Sequence, residues 1–128
     1  MKKFLDILAN NVSVLMLAFL FSFLLGTGAI LIISWNASVL SAAIGLIAKS
    51  FGGVRGIPIA VLTFIPHGSF EILAYFVGAI AGGLVSAAVM RKKSDNFWYI
   101  VKDSVVLLVI SFVCLIIGGV IETVIIMV

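Results

Sequence analysis

The polar side chains that could do chemistry are few, and each borders or interrupts an apolar run. The most compact group is Pro66-His67-Gly68-x-x-Glu71, in which an imidazole precedes a carboxyl group by four residues. Side chains at this spacing share one face of a helix. Imidazole and carboxylate are both ligands of divalent cations, and a second carboxyl group, that of Glu122, stands in the last apolar run.

Three interpretations of this group stay open. In the structural one, Pro66 begins a helix, where its missing N–H is not needed, and Glu71 interacts with the positive helix end and with His67. In the functional one, His67, Glu71 and Glu122 together bind a metal ion, another cation or a proton. In the third, the group binds a polar group of a partner protein.

The sequence does not predict an enzyme. It lacks the His-Glu-x-x-His pattern of zinc proteases, and no serine nucleophile with a second base is evident. No cofactor is expected apart from a divalent cation at the His67 group. The single Cys114 leaves no disulfide and no cysteine metal site within one chain.

The composition is typical of a membrane protein. Of the 128 residues, 64% are hydrophobic and 10% are charged, whereas about a quarter of the residues in a soluble domain are charged. A globule of this size would expose large apolar patches to water, so lipid is the expected solvent. The net charge of +3 comes from basic residues too scattered for a phosphate-binding stripe, and no nucleic acid partner is predicted.

We therefore predict an all-α membrane protein, a polytopic helical bundle that forms a single integral membrane domain. Residues 12–35 carry no charge and would cross a hydrocarbon core of about 30 Å. The bundle has three full spans plus a broken pair of short helices, up to five hydrophobic helices in all. The segments are an interfacial amphipathic lead (1–11), a span (12–35), a broken hairpin (37–66), a span (68–90) and a span (104–128).

The hairpin at 37–66 has two interpretations, because neither of its apolar segments is long enough to span alone. Lys49, Gly52, Gly53 and Arg55 separate the two segments. Backbone that is not helical survives at membrane depth only where protein or water satisfies its polar groups. The pair is therefore either re-entrant or flat on the membrane surface.

The basic residues indicate an orientation in the plasma membrane. Lys and Arg near the ends of spans are retained on the cytoplasmic side. Lys2, Lys3 and the loop 91–103, with its cluster Arg91-Lys92-Lys93, would therefore be cytoplasmic, and the C-terminus would lie outside.

Counting from this loop places both carboxyl groups at one depth. Glu71 lies twenty residues before Arg91, and Glu122 lies nineteen residues after Asp103. At about 1.5 Å per residue, each is roughly 28 to 30 Å from the loop, near the outer side. Asn36 and His67 would lie at a similar level.

Small residues mark the helix faces that should pack closely. Ala74, Gly78 and Gly82 follow Glu71 at helical spacing, and Gly118 precedes Glu122 by four residues. Such stripes let helices touch, so both carboxyl groups should face protein rather than lipid. An ionisable residue at membrane depth is by default a candidate functional site.

Several motifs in one order resemble the stage II sporulation protein M family. They are Asn10-Asn11, Trp35-Asn36, Pro66-His67-Gly68-Ser69-Phe70-Glu71, Gly78-Ala79-Ile80-Ala81-Gly82-Gly83 and Ile121-Glu122-Thr123. The resemblance covers nearly the whole chain, and the Pro-His-Gly-x-x-Glu element is its most specific part. The chain departs from the family pattern at Ala37, where glycine is common, and at Ile72-Leu73-Ala74, where a proline-alanine pair is common.

The resemblance implies a polytopic helical protein that, in spore-forming bacteria, works as a membrane-embedded scaffold with peptidoglycan-degrading partners. It also nominates the positions that the family shares, without assigning them a role. These positions are Asn10, Asn11, Asn36, Pro66, His67, Gly68, Glu71 and Glu122.

Two classes of function are consistent with these features. A scaffold would present its small helix faces and its loops to other membrane proteins or to itself. A transporter or channel for a cation, metal or proton would instead use the broken hairpin and the buried carboxyl groups. Three full spans are few for a monomeric pore, so either class predicts a homo-oligomer, most simply a dimer.

Overall fold

The computed structural model describes residues 2–26, 29–91 and 96–127, and their regular secondary structure is helical. Four α-helices follow one another: α1 (Lys2–Leu25), α2 (Ala29–Ser50), α3 (Ile57–Met90) and α4 (Phe97–Met127). A short 3-10 helix, Gly53–Gly56, joins α2 to α3. The predicted all-α class is confirmed. Some predicted features fall on residues outside the described ranges, namely Thr27, Gly28, Lys92, Lys93 and Val128.

All four helices are long and apolar enough to cross a membrane. At about 1.5 Å per residue, even the 22 residues of α2 reach across a hydrocarbon core of roughly 30 Å. The 34 residues of α3 exceed that thickness. The chain is therefore that of an integral membrane protein.

The helices form an up-down-up-down bundle in which α3 is central and contacts the other three. Pairs of contacting residues give the directions, with α1 parallel to α3 and α4 antiparallel to it. These pairs are Asn11 with Glu71, Ser22 with Ala79, Gly118 with Glu71, and Ser104 with Ala81. Since short connections link α2 to α1 and to α3, α2 runs antiparallel to both of them.

The ends of the bundle differ from the predicted arrangement. The distribution of basic residues predicts Lys2 and the loop 91–103 on one side and the C-terminus on the other. In the structure, the ring of Phe4 lies beside Gly119, so the beginning of α1 and the end of α4 share one end of the bundle. Arg91, after the end of α3, lies at the opposite end. The prediction required an even number of crossings between the two basic regions, and three helices separate them.

The predicted lead 1–11 and the first part of the predicted span 12–35 form one helix, α1, and the rest of that span belongs to α2. α1 runs without a break from Lys2 to Leu25 and ends where Gly26 takes a positive φ of 68°. Glycine ends helices in this left-handed conformation without the steric cost of a Cβ. Because the apolar run continues across this turn, hydropathy alone does not reveal it.

The predicted hairpin 37–66 and span 68–90 are also divided differently. A bend occurs where predicted, at Gly52 and Gly53, which take φ values of 93° and 74°. α3 then continues through Pro66, so this proline does not begin a helix; Pro58 occupies the first turn instead. Pro66 removes one backbone hydrogen bond, which a membrane helix tolerates when it is packed against neighbouring helices.

Small residues bring α1 and α3 into contact. A Cβ on Gly78 would overlap the Leu15 side chain, and a Cβ on Gly82 would overlap the carbonyl oxygen of Phe19. These contacts fix the position of α1 along α3, and with it the position of Asn11. The adjoining buried core consists of Leu15, Ala74, Tyr75, Cys114 and Leu115.

α2 is the outermost helix. Its buried residues are Ala29 and Ala48, near its two ends. Ala48 packs against Gly56, where no Cβ would fit. Both ends of α2 are therefore attached to the bundle, while its middle stands away from α1 and α3.

Candidate functional site

The space between the middle of α2 and the rest of the bundle is a cavity of about 710 Å³. This volume falls within the roughly 300 to 1,000 Å³ of small-molecule sites. Much of its wall is apolar, and all four helices contribute polar side chains. The polar lining residues are Asp6, Asn10, Asn11, Asn36, Ser41, His67, Glu71, Tyr75 and Glu122.

Asn11 and Glu71 form the best-defined polar contact in the cavity wall. Asn11 is 6% exposed, and its Nδ2 donates a hydrogen bond to Oε1 of Glu71 at 2.5 Å. Asn10 donates to Oδ1 of Asn11 at 3.4 Å, a much longer bond. The amide of Asn11 therefore holds one oxygen of the carboxyl group in place.

The position of the asparagine pair corrects a predicted boundary. Asn10-Asn11 stands at the end of the predicted lead 1–11, yet both residues lie inside α1. α1 already begins at Lys2, so its unpaired N–H groups are far from the pair. The two amides are free to reach across to α3.

Gly118 makes room for Glu71 between α3 and α4. A Cβ at this position would come within 3.3 Å of Cγ of Glu71 and of the carbonyl oxygen of His67. Glu122, one turn further along α4, lines the same cavity. The four residues predicted to share one layer, Glu71, Glu122, Asn36 and His67, all line this cavity.

His67 is buried, with 7% of its surface exposed, and it lines the cavity. Its ring packs against Phe64 with the centroids 5.6 Å apart. Within the described chain, Nδ1 of His67 has no hydrogen-bond partner. A buried polar atom without a partner costs about 1 to 3 kcal/mol, so this nitrogen is a strong candidate to meet a ligand.

The predicted metal ligands His67, Glu71 and Glu122 share the cavity but do not form a coordination sphere. Among the residues that the structure describes, no group of three His, Cys, Asp or Glu side chains is placed to hold a metal ion. His67 and Glu71 lie one turn apart on α3, and the imidazole is turned against Phe64. No described basic residue lines the cavity either, so the carboxyl groups have no cationic partner there.

Of the other predicted positions, some line the cavity and others pack the helices together. Gly68 lines the cavity. Pro66 does not line it, and Gly78 and Gly82 pack against α1 instead. Ala74 is fully buried in the core.

Sequence reasoning missed three polar lining residues, Asp6, Ser41 and Tyr75. Asp6 precedes Asn10 by four residues, so helical spacing within α1 could have revealed it. Ser41 follows Asn36 on α2, and its place was hidden because 37–66 reads as a separate broken hairpin.

Comparison with known proteins agrees with the resemblance seen in the motifs. The family model described as Stage II sporulation protein M matches residues 1–125. The matched range includes α1, α2, α3, all but the last two residues of α4, and every described residue that lines the cavity. No curated protein and no solved structure matches the chain.

Proposed function

This chain belongs to the stage II sporulation protein M family, and from that membership we propose that it is a non-enzymatic scaffold of the plasma membrane. A scaffold in this sense assembles other membrane proteins, or copies of itself, through its helix faces. Nearly all of the described residues lie in four helices joined by short connections. Contacts with partners would therefore be made largely within the membrane.

The observation that supports this proposal is the outward face of α2. Ser34, Ser38, Ala42 and Gly45 are exposed there and recur at helical spacing, and we call them the outer stripe. A Cβ on Gly45 would meet nothing within 4 Å. Stripes of small residues allow a second helix to approach closely, and none of the described helices covers the outer stripe.

Ser38 of the outer stripe is suited to such a contact. Its Oγ donates to the carbonyl oxygen of Ser34 at 2.9 Å. A hydroxyl that is bonded within its own helix does not need water. Ser38 can therefore face another helix or lipid without leaving its hydroxyl unsatisfied.

The test enlarges one residue of the outer stripe. Ser38→Leu should abolish self-association, or the recovery of a crosslinked membrane partner, by blocking close helix contact. Ser13→Leu is the matched control, because Ser13 is also an exposed helical serine bonded to the carbonyl oxygen four residues before it. Self-association is measured by light scattering of purified protein, and partners by crosslinking in native membranes followed by mass spectrometry.

If the protein is a scaffold, the wild type and the Ser13→Leu control should show the same self-association or partner recovery. Ser38→Leu should lose it. The proposal fails if the wild type neither self-associates nor recovers a membrane protein. It also fails if the two leucine variants behave alike.

The cavity favours a second candidate, passage of a cation, metal or proton. Carboxyl groups within a membrane bundle commonly mark such pathways, and Glu71 and Glu122 line one cavity. A cation flux in liposomes that Glu71→Gln abolishes and Asp103→Asn preserves would replace the scaffold with transport. Elemental analysis of wild type against His67→Ala tests for a bound divalent cation.

A further inference from the structure

The cavity between α2 and the rest of the bundle has features of a ligand site, and we propose that it binds an amphiphilic amine. Such a ligand carries a primary ammonium group on an apolar body. This inference goes beyond the scaffold role and does not depend on it, because it concerns the inner side of α2 rather than the outer stripe.

The charge of the cavity selects a cation. Asp6, Glu71 and Glu122 line it, and no described Lys or Arg does. Asn11 bonds to Oε1 of Glu71, and no described residue donates a hydrogen bond to Glu122. A primary ammonium group has three N–H donors and no acceptor, so it complements this set of acceptors.

Independent support comes from the unpartnered Nδ1 of His67. His67 lines the cavity, and its buried Nδ1 has no hydrogen-bond partner in the described chain. When the imidazole proton is on Nε2, Nδ1 is an acceptor. A ligand N–H would then satisfy an atom that the protein itself leaves without a partner.

The rest of the wall suits the apolar body of the ligand. Phe64, Tyr75 and Phe76 line the cavity together with aliphatic residues of α2. Aromatic faces attract organic cations and also bury hydrocarbon. The cavity therefore offers acceptors for an ammonium group and an apolar surface for the remainder of the molecule.

The placement of the acceptors favours an organic amine over a metal ion. A metal ion needs several ligands at short, fixed distances, and the described residues contain no such group. An ammonium group on a flexible chain can reach acceptors that are spread over several helices. The ammonium group of the ligand could belong to a lipid headgroup or to a free hydrophobic amine.

The experiment is a titration of the purified full chain, followed by native mass spectrometry. The probe is dodecylamine, compared with dodecyltrimethylammonium, which has no N–H group, and with dodecyl sulfate, which is an anion. We expect one saturable site for dodecylamine, weaker binding of dodecyltrimethylammonium and no saturable binding of dodecyl sulfate. Glu71→Gln should weaken dodecylamine binding by about tenfold or more.

Asp103→Asn is the matched control, because it makes the same change at an exposed residue outside the cavity and should leave binding unchanged. Glu122→Gln provides a second variant, and it removes no hydrogen bond between the residues that the structure describes. Equal binding of the three probes would overturn the proposal, as would unchanged dodecylamine affinity in both glutamine variants.

Competition separates the two sources of the amine. Displacement of dodecylamine by phosphatidylethanolamine, and not by phosphatidylglycerol, would identify the ligand as a lipid. Displacement by soluble 2-phenylethylamine alone would identify a free amine. Failure of both competitors, with no loss of binding in the Glu71→Gln variant, would count against the site.

Discussion

Asn11 and Glu71 are joined by a hydrogen bond of 2.5 Å from Nδ2 to Oε1, across 60 residues of the chain. The bond links α1 to α3 in the wall of the cavity. An amide donor is the kind of partner that lets a carboxyl group remain within a membrane bundle. The contact therefore contributes to both the fold and the shape of the cavity.

Replacing Asn11 by alanine should destabilise the protein. Glu71 would lose the donor that satisfies Oε1, and an unsatisfied buried group costs about 1 to 3 kcal/mol. The free energy of unfolding in detergent, measured by circular dichroism during denaturation, should fall by this amount. Asn10→Ala is the control, because Asn10 is exposed and, among the described residues, its side chain bonds only to Asn11, at 3.4 Å.

A double-mutant cycle tests whether the two residues act together. The cost of Asn11→Ala combined with Glu71→Ala should be smaller than the sum of the two single costs, since the same bond is lost in each. Additive costs would show that the bond contributes no coupling energy. Equal costs for Asn10→Ala and Asn11→Ala would lead to the same conclusion.

The sequence predicts the helical class and much of the polar layer. Composition indicates membrane helices, and distances counted along ideal helices bring Glu71 and Glu122, which line one cavity, to one level. This count is possible because helix rise is constant. Only the number of residues between two positions on regular helices is needed.

What the sequence does not reveal depends on local conformation and on pairing between distant helices. The turn at Gly26 is hidden because apolar residues continue on both sides of it. Pro66 suggests a helix start, yet α3 is continuous through it. The bond from Asn11 to Glu71 requires α1 and α3 to be parallel and adjacent, and no periodicity within one helix specifies this.

The buried glycines of α3 should respond differently to alanine. At Gly82 the new Cβ would overlap the carbonyl oxygen of Phe19, which is backbone, whereas at Gly78 it would meet the end of the Leu15 side chain. Gly82→Ala should therefore destabilise by about 1 to 3 kcal/mol, as overpacking does. Gly78→Ala should cost less, because a side chain end can move.

Gly45→Ala is the control for this pair, because a Cβ there meets open space. It should stabilise the protein by about 0.5 to 1 kcal/mol through helix propensity alone. Thermal unfolding of the three variants ranks their stabilities, and we expect Gly45→Ala to be the most stable and Gly82→Ala the least. A Gly78→Ala variant less stable than Gly82→Ala would contradict the predicted contact between Gly82 and the backbone of α1.

Ser22 should contribute more to stability than a serine bonded within its own helix. Its Oγ lies 2.6 Å from the carbonyl oxygen of Ala79 and is buried between α1 and α3. Ser22→Ala removes this interhelical bond and should cost about 0.5 to 2 kcal/mol. Ser13→Ala, which removes only a bond to Ala9 on an exposed face, should change the unfolding free energy little; similar losses in both variants would refute the prediction.

The direction of the helices can be tested by labelling single cysteines. Lys2, Ser50 and Arg91 are exposed near the ends of helices, and three helices separate the first residue from the last. In a Cys114→Ala background, Lys2→Cys and Ser50→Cys should react with a membrane-impermeant maleimide from the same side of oriented vesicles. Arg91→Cys should react only from the opposite side, because each helix that crosses reverses the side of the chain.

Reaction of Lys2→Cys and Arg91→Cys from one side would instead require an even number of crossings. That result would separate Asn11 from Glu71 in depth and would be incompatible with the hydrogen bond between them.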